Sequence, residues 1–111
     1  MKLIGKIEIL DSFKITGRGL VARGNLIEGK ARIGAWVTLN FEKESVDLKI
    51  AGVDMIDNVS TREYWVGLLF SYKDEDQKIK LMNVKLPYQI VDIIDKLIDI
   101  NVNMFFAPKI V

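Results

Sequence analysis

Residues 13–39, FKITGRGLVARGNLIEGKARIGAWVTL, place five glycines at fixed offsets within an apolar sequence that favours strands. Glycine accepts a positive φ and a close approach of neighbouring backbone without steric cost. Glycines at such positions in strand-forming sequence are typical of the turns and bulges of a tightly curled sheet. The stretch therefore predicts short strands and excludes a helix. The five glycines are Gly17, Gly19, Gly24, Gly29 and Gly34.

The segments on both sides of this stretch alternate apolar and polar residues with the two-residue period of strands. After Gly52 the alternation shifts by one residue, which predicts a bulge at that position. Six short strands joined by turns predict a mainly β fold, an antiparallel Greek-key-type barrel that is closed or nearly closed. The six segments are residues 3–10, 20–27, 35–41, 46–55, 64–72 and 79–84.

After Pro87 the apolar residues follow a helical period, which predicts one C-terminal amphipathic helix over residues 88–100. Its wide apolar face must be buried, either on the outer wall of the barrel near Trp36 and Trp65 or against a second copy. Residues 102–111 are too apolar to remain in water, which predicts either an added strand or a dimer contact. We therefore expect a barrel in residues 1–86 and a helix with an apolar tail in residues 87–111, packed on the barrel or on a partner.

The composition excludes several kinds of site. The chain has 111 residues, no cysteine and no histidine, which suits one domain and rules out disulfides, thiolate zinc sites and histidine-dependent triads. No acid–base pair or metal-ligand set is recognisable, so we expect no enzymatic activity, no cofactor and no metal. The first residues alternate where a signal peptide would be continuously apolar, and no apolar run is long enough to span a membrane. We expect a cytoplasmic protein without membrane contact.

Two glycine motifs resemble phosphate-binding loops. They are Gly17-Arg18-Gly19 and the segment from Gly24 to Gly29-Lys30. Both kinds of loop require a helix to begin at the glycines, so that its first amides face the phosphate. Strand-forming sequence follows here instead, so we expect no nucleotide site.

The glycine-rich stretch resembles the second-domain β-barrel of translational GTPases such as elongation factor Tu. The similarity covers roughly residues 4–84 and includes no GTPase domain. The matching residues are Phe13, Ile15, Gly17, Arg18, Gly19, Val21, Gly24, Gly29, Gly34 and Val37.

In that family the barrel holds the 3′-terminal adenosine of aminoacyl-tRNA in a shallow pocket of apolar residues, with an acidic group on the ribose. The resemblance implies an RNA-end pocket with Ile15, Val21 and Leu69 as its apolar residues and Asp54 as its acid. The chain departs from the family pattern at two positions, where Asp57 replaces a basic residue and Leu10 replaces an acidic one.

Two hypotheses about function follow. The first is a non-catalytic binding or adaptor module of the translation-factor barrel type that contacts protein or RNA. The formal net charge of +1 argues against a general nucleic-acid binder and leaves a small local basic face as the candidate contact surface. The alternative is a structural protein that self-assembles, as a homodimer through residues 88–100 and 102–111. The residues of the candidate basic face are Lys14, Arg18, Arg23, Lys30 and Arg32. The same charges are also explained as solvated side chains at strand edges and in loops.

Overall fold

In the computed structural model, residues 2–58 and 63–96 are described. The elements are β1 (Lys2–Ile15), β2 (Gly19–Gly29), β3 (Trp36–Phe41), β4 (Glu44–Asn58), β5 (Glu63–Ser71), α1 (Glu75–Met82) and β6 (Gln89–Asp95). The strands pair antiparallel throughout and close into a barrel in the order β1-β2-β5-β4-β3-β6. Because β2 lies beside β5 rather than β3, the connection is of the Greek-key type. The predicted six-stranded antiparallel barrel is confirmed. The described residues contain one helix, which lies earlier in the chain than the predicted one.

The barrel interior is filled by every second residue of the strands, as the alternation predicts. The pairing of β4 with β5 shifts between Ile50 and Gly52, which makes Ala51 the extra residue of a bulge. The predicted bulge is thus confirmed, and it returns Val53 to the interior side. Well-buried residues of this core include Ile7, Ile9, Leu20, Ala22, Val37, Leu39, Leu48, Ile50, Leu68, Phe70 and Ile93.

At Gly24 strands β1 and β2 approach each other too closely for any side chain. A Cβ atom placed on Gly24 would lie 1.9 Å from the carbonyl oxygen of Glu8 and 3.0 Å from the Cα of Ile9. Both of these atoms belong to the backbone of β1, so no side-chain rotation can relieve the overlap. Glycine at this position is therefore a condition of the β1–β2 pairing.

The helix predicted over residues 88–100 is wrong over residues 89–95, because these residues form strand β6. In β6, Val91 and Ile93 are buried in the interior whereas Ile90 and Asp92 are exposed, which is the alternation of a strand. The segment is rich in β-branched residues, which fit a pleated surface, and the barrel offers it a pairing partner on each side.

The barrel therefore continues beyond residue 86, where the sequence places its end. Residues 89–95 do not form the helical apolar face assumed for self-association. Their apolar side chains are divided between the interior and the exterior of the barrel. The remainder of the predicted helix from residue 97 and the apolar tail at 102–111 lie outside the described residues.

Strand β6 closes the barrel by lying between β1 and β3. It aligns with β1 along most of its length, whereas among the described residues its alignment with β3 consists of Trp36 with Ile94. Towards the other end of β3, the side chain of Gln89 completes the connection. Its Nε2 donates to the carbonyl oxygen of Asn40 at 2.8 Å, and its Oε1 accepts from the backbone N–H of Asn40 at 2.9 Å. The amide of Gln89 thus substitutes for a backbone pair.

The strand predicted over residues 79–84 is wrong, because the chain forms helix α1 up to Met82. Asp74 caps the helix, since its Oδ1 accepts from the backbone N–H of Gln77 at 2.8 Å. The Oε1 of Gln77 in turn accepts from the backbone N–H of Lys73 at 2.8 Å. The buried side chain of Leu81 joins the core cluster. An Asp followed three residues later by Gln is a helix-start signature, and here it outweighs the short apolar alternation that follows.

Replacing Asp74 with alanine is expected to lower the free energy of unfolding by about 1 kcal/mol, because the N–H of Gln77 loses its acceptor. Urea unfolding followed by tryptophan fluorescence measures the change. Asp74→Asn is the matched control, since asparagine also caps helices and should retain most of the stability. An alanine variant as stable as the wild type would show that this cap does not hold α1.

The glycine motifs that resemble phosphate loops lie in strand and turn. Gly17 lies in the turn between β1 and β2, and Gly29 is the last residue of β2. Residues 30–35 lead through a turn into β3 without forming a helix. The backbone geometry that phosphate loops need is not formed at either motif.

Candidate functional site

Backbone pairing aligns two rows of residues across the four neighbouring strands β1, β2, β5 and β4. The residues next to them in sequence, such as Leu20, Ala22 and Leu68, point into the core. Side chains alternate along a strand, so both rows point outwards. We name these eight residues the outer patch. The first row is Asp11, Arg23, Gly67 and Asp54, and the second row is Phe13, Val21, Leu69 and Gly52.

The second row forms an apolar floor on the outside of the barrel. Val21 and Leu69 are cross-strand partners that are only 2% and 5% exposed, although they do not belong to the interior cluster. Phe13 at the end of this row is 42% exposed, and Ile15 is half-buried. Gly52 and Gly67 contribute no side chain, so the surface between β4 and β2 is low. The accessible apolar surface is thus at Phe13 and Ile15, with Val21 and Leu69 beneath.

An ion pair crosses the floor. Arg18 lies in the turn between β1 and β2, beyond the second row, and its Nη1 is 3.8 Å from the Oδ2 of Asp54 in the first row. The Arg18 side chain therefore runs past Val21 and Leu69 to reach β4. Both charged side chains are 54% exposed. We call this ion pair the strap. Exposed pairs at such a distance contribute about 0–1 kcal/mol to stability, so the strap is easily opened.

The arginine of the outer patch, Arg23, is held firmly. The Nε and Nη2 of Arg23 donate to the two carboxylate oxygens of Asp11 at 2.9 and 2.7 Å. The Arg23 guanidinium also lies 4.8 Å from the centre of the Trp65 ring. The hydrogen bonds from Arg23 lower the pKa of Asp11, and the same bonds raise the pKa of Arg23. Arg23 is therefore committed to the protein itself rather than available to a ligand.

The structure places the four residues of the predicted RNA-end pocket on the outward side of four neighbouring strands. Val21 and Leu69 form the floor, Asp54 stands one row away beyond Gly67, and Ile15 follows Phe13 along the outward face of β1. Sequence reasoning missed the roles of Phe13 and of the strap between Arg18 and Asp54. The two ends of that strap are far apart in sequence, and only the barrel register relates them. The backbone of Asp57 lies in β4, and its side chain is outside the described part.

The residues of the predicted basic face do not form one surface. Arg32 pairs with Asp95 at the end of β6, beside the start of β1, whereas Arg18 follows the end of β1. Lys14 pairs with Leu20 and so points to the side of β1 opposite to Phe13 and Ile15. Lys30 is exposed beyond the end of β2. The dispersion of these charges leaves Arg18 as the arginine best placed for an anion at the patch.

Tyr72 supports one end of the patch from beneath. Its hydroxyl accepts a hydrogen bond from the backbone N–H of Leu20 at 2.9 Å. Burial raises the pKa of the Tyr72 hydroxyl, so it remains protonated at neutral pH. A Cβ atom on Gly19 would lie 2.6 Å from this hydroxyl. Gly19, which also has a φ of 100°, allows the close contact between the turn of Arg18 and Tyr72, the residue that follows β5.

Across residues 2–58 and 63–96, no group of acidic residues is arranged to hold a metal ion. In the same part of the chain, no helix has the length and apolar character needed to cross a membrane. No protein-family model matches this chain, and no significant match is found among curated proteins or solved structures.

Proposed function

We propose that this protein is a non-catalytic binding module of the translation-factor barrel type, and that its outer patch takes the terminal nucleoside of a single-stranded RNA. One observation carries the proposal. Asp54 and the Val21–Leu69 pair lie on one outward face, one row apart, with only Gly67 between them on β5. The resemblance to the elongation-factor barrel assigns these same residues to an RNA-end pocket.

The chemistry of the patch suits a terminal nucleoside. A carboxylate accepts hydrogen bonds only, and the free 2′ and 3′ hydroxyls of a terminal ribose are donors for the oxygens of Asp54. The flat base packs on the apolar surface at Phe13 and Ile15, and it reaches Val21 and Leu69 when the strap opens. Released from Asp54, the planar guanidinium of Arg18 is free to bind a phosphate. Binding thus exchanges one weak ion pair for two contacts.

The charge distribution of the protein favours recognition of the end of an RNA strand over binding along a duplex. Arg23 and Arg32 are both engaged by carboxylates of the protein. Only a few cations are therefore available to phosphates near the patch. Since the salt dependence of affinity grows with the number of phosphates neutralised, we expect a shallow dependence for this site.

Fluorescence anisotropy with a short RNA labelled at its 5′ end tests the proposal. We expect Asp54→Asn to weaken binding about tenfold, because a hydrogen bond to a charged group contributes about 1.5–3 kcal/mol. The same RNA with a 2′,3′-dideoxy end should bind more weakly to the wild type and be insensitive to the substitution. This pairing of ligand and variant isolates the contact between Asp54 and the ribose.

Asp92→Asn is the matched control, because Asp92 is an exposed carboxylate on β6 that pairs with Lys6 away from the patch. It removes the same charge and should leave the affinity unchanged. The proposal fails if the wild type binds the normal RNA and the dideoxy RNA equally, or if it binds neither of them. It also fails if Asp54→Asn and Asp92→Asn have the same effect on the affinity.

A further inference from the structure

A cleft of about 390 Å³ lies on the outer surface beside the outer patch. Its floor is the half-buried indole of Trp36 on β3, and its walls come from β4, β5 and the segment that leads into α1. The side chains that matter for its chemistry are Trp36, Asp47, Lys49, Ser71, Tyr72 and Lys73. None of these residues belongs to the outer patch.

The barrel register places this cleft next to the floor of the patch. Lys49 is aligned with Trp36 on one side and with Ser71 on the other. Ser71 follows Leu69 by two residues and therefore points to the same outward face. With about 4.8 Å between strands and about 3.4 Å per residue, the Cα atoms of Trp36 and Leu69 are about 12 Å apart. Tyr72 lines the cleft and also supports the patch.

The cleft combines an aromatic platform with positive charge. The Nζ of Lys96 lies 4.6 Å and that of Lys49 lies 5.8 Å from the centre of the Trp36 ring. Lys96 is also 3.7 Å from Asp47. Within the described residues, neither Lys49 nor Lys73 has a carboxylate partner. The cleft thus has an excess of cations beside a flat apolar ring, and Lys49 is the more loosely held of the two lysines at the ring.

We propose that this cleft is a second subsite for the same RNA, in which Trp36 stacks a base upstream of the terminal nucleotide. Lys49 and Lys73 bind the backbone phosphates that connect the two subsites. Proteins that bind single strands commonly combine an aromatic ring for the base with nearby cations for the backbone. The inference rests on the proposed function, because the terminal nucleotide in the outer patch sets the direction of the strand.

The test compares a nucleoside monophosphate with a longer single-stranded RNA. We expect Trp36→Ala to weaken binding of the longer RNA roughly tenfold, as loss of a base–aromatic stack does, and to leave the monophosphate unaffected. Trp36→Phe keeps a ring and should restore most of the affinity. In a Trp65→Phe background, Trp36 is the remaining tryptophan of the two in the chain, and the longer RNA should quench its emission.

Lysine variants supply an independent measurement. Lys49→Ala and Lys73→Ala should each reduce the slope of log affinity against log salt concentration by about one. Lys85→Ala is the matched control, because Lys85 is an exposed lysine that does not line the cleft. Its slope should equal that of the wild type.

The outcomes separate the two proposals. If Asp54→Asn weakens binding and Trp36→Ala does not, the terminal site stands and the second subsite is overturned. If Trp36→Ala weakens both ligands equally, the cleft does not read an upstream base and the inference is also overturned. If neither the monophosphate nor the longer RNA binds the wild type, the proposed function fails and the second subsite fails with it.

Discussion

Replacing Ile93 with alanine is expected to lower the free energy of unfolding by about 2–5 kcal/mol, the usual cost of removing a fully buried isoleucine side chain. Ile93 lies in β6 and is 0% exposed within the core. The substitution removes apolar contacts where the last strand closes the barrel, and it leaves a cavity there. Urea unfolding monitored by circular dichroism gives the free energy.

Ile90→Ala is the matched control for this prediction. Ile90 lies three residues before Ile93 on the same strand and is 51% exposed, so its truncation should change the stability by about 0.5 kcal/mol or less. On a helix, residues three apart share a face and both substitutions would be costly. Similar losses at the two positions would therefore contradict the strand assignment of β6.

Gly24→Ala is expected to destabilise the barrel by about 3 kcal/mol or more, at the upper end of what overpacking costs. The added methyl group would lie 1.9 Å from the carbonyl oxygen of Glu8, so β1 and β2 must separate to admit it. Thermal and urea unfolding measure the loss, and weaker protection of the β1–β2 amides against hydrogen exchange would locate it.

Gly52→Ala provides the comparison for Gly24→Ala. A Cβ atom on Gly52 would meet the side chain of Leu69 at 3.4 Å, which is an ordinary contact, and the backbone there does not require glycine. We expect this variant to remain within about 1 kcal/mol of the wild type. If the two glycine variants were equally stable, the close approach at Gly24 would not be a requirement of the fold.

Local patterns were sufficient to predict the barrel because its strands are half-buried. Alternation in β3 gave the correct inward face, and the break in alternation at Gly52 gave the correct bulge. The resemblance named Ile15, Val21, Leu69 and Asp54, and the barrel register places these residues on the outward side of four neighbouring strands. Their function remains a proposal for experiment.

The same local patterns failed where a segment is short. Residues 89–95 fit both a strand and a helix by apolar spacing, and only the available partners on either side decide between them. The helix-start signature from Asp74 to Gln77 is present in the sequence, but the short apolar alternation that follows it favours a strand over residues 79–84. Greater weight on β-branched residues and on capping would have corrected both assignments.

The details of the site depend on long-range pairing, which no local pattern reveals. The strap between Arg18 and Asp54 joins a turn to β4, and the bidentate pair of Arg23 with Asp11 depends on the β1–β2 register. The cleft at Trp36 gathers residues from β3, β4 and β5. A sequence can supply the residue types for such sites, whereas the barrel determines which of them meet.

The position of β6 between β1 and β3 also constrains the order of events during synthesis. On the ribosome, an emerging chain can pair its first five strands while residues 89–95 are still unmade or inside the exit tunnel. Until then, β1 and β3 are the open edges of an incomplete sheet, and such edges can pair with other nascent chains. The protein is therefore most exposed to misassembly just before its last strand is released.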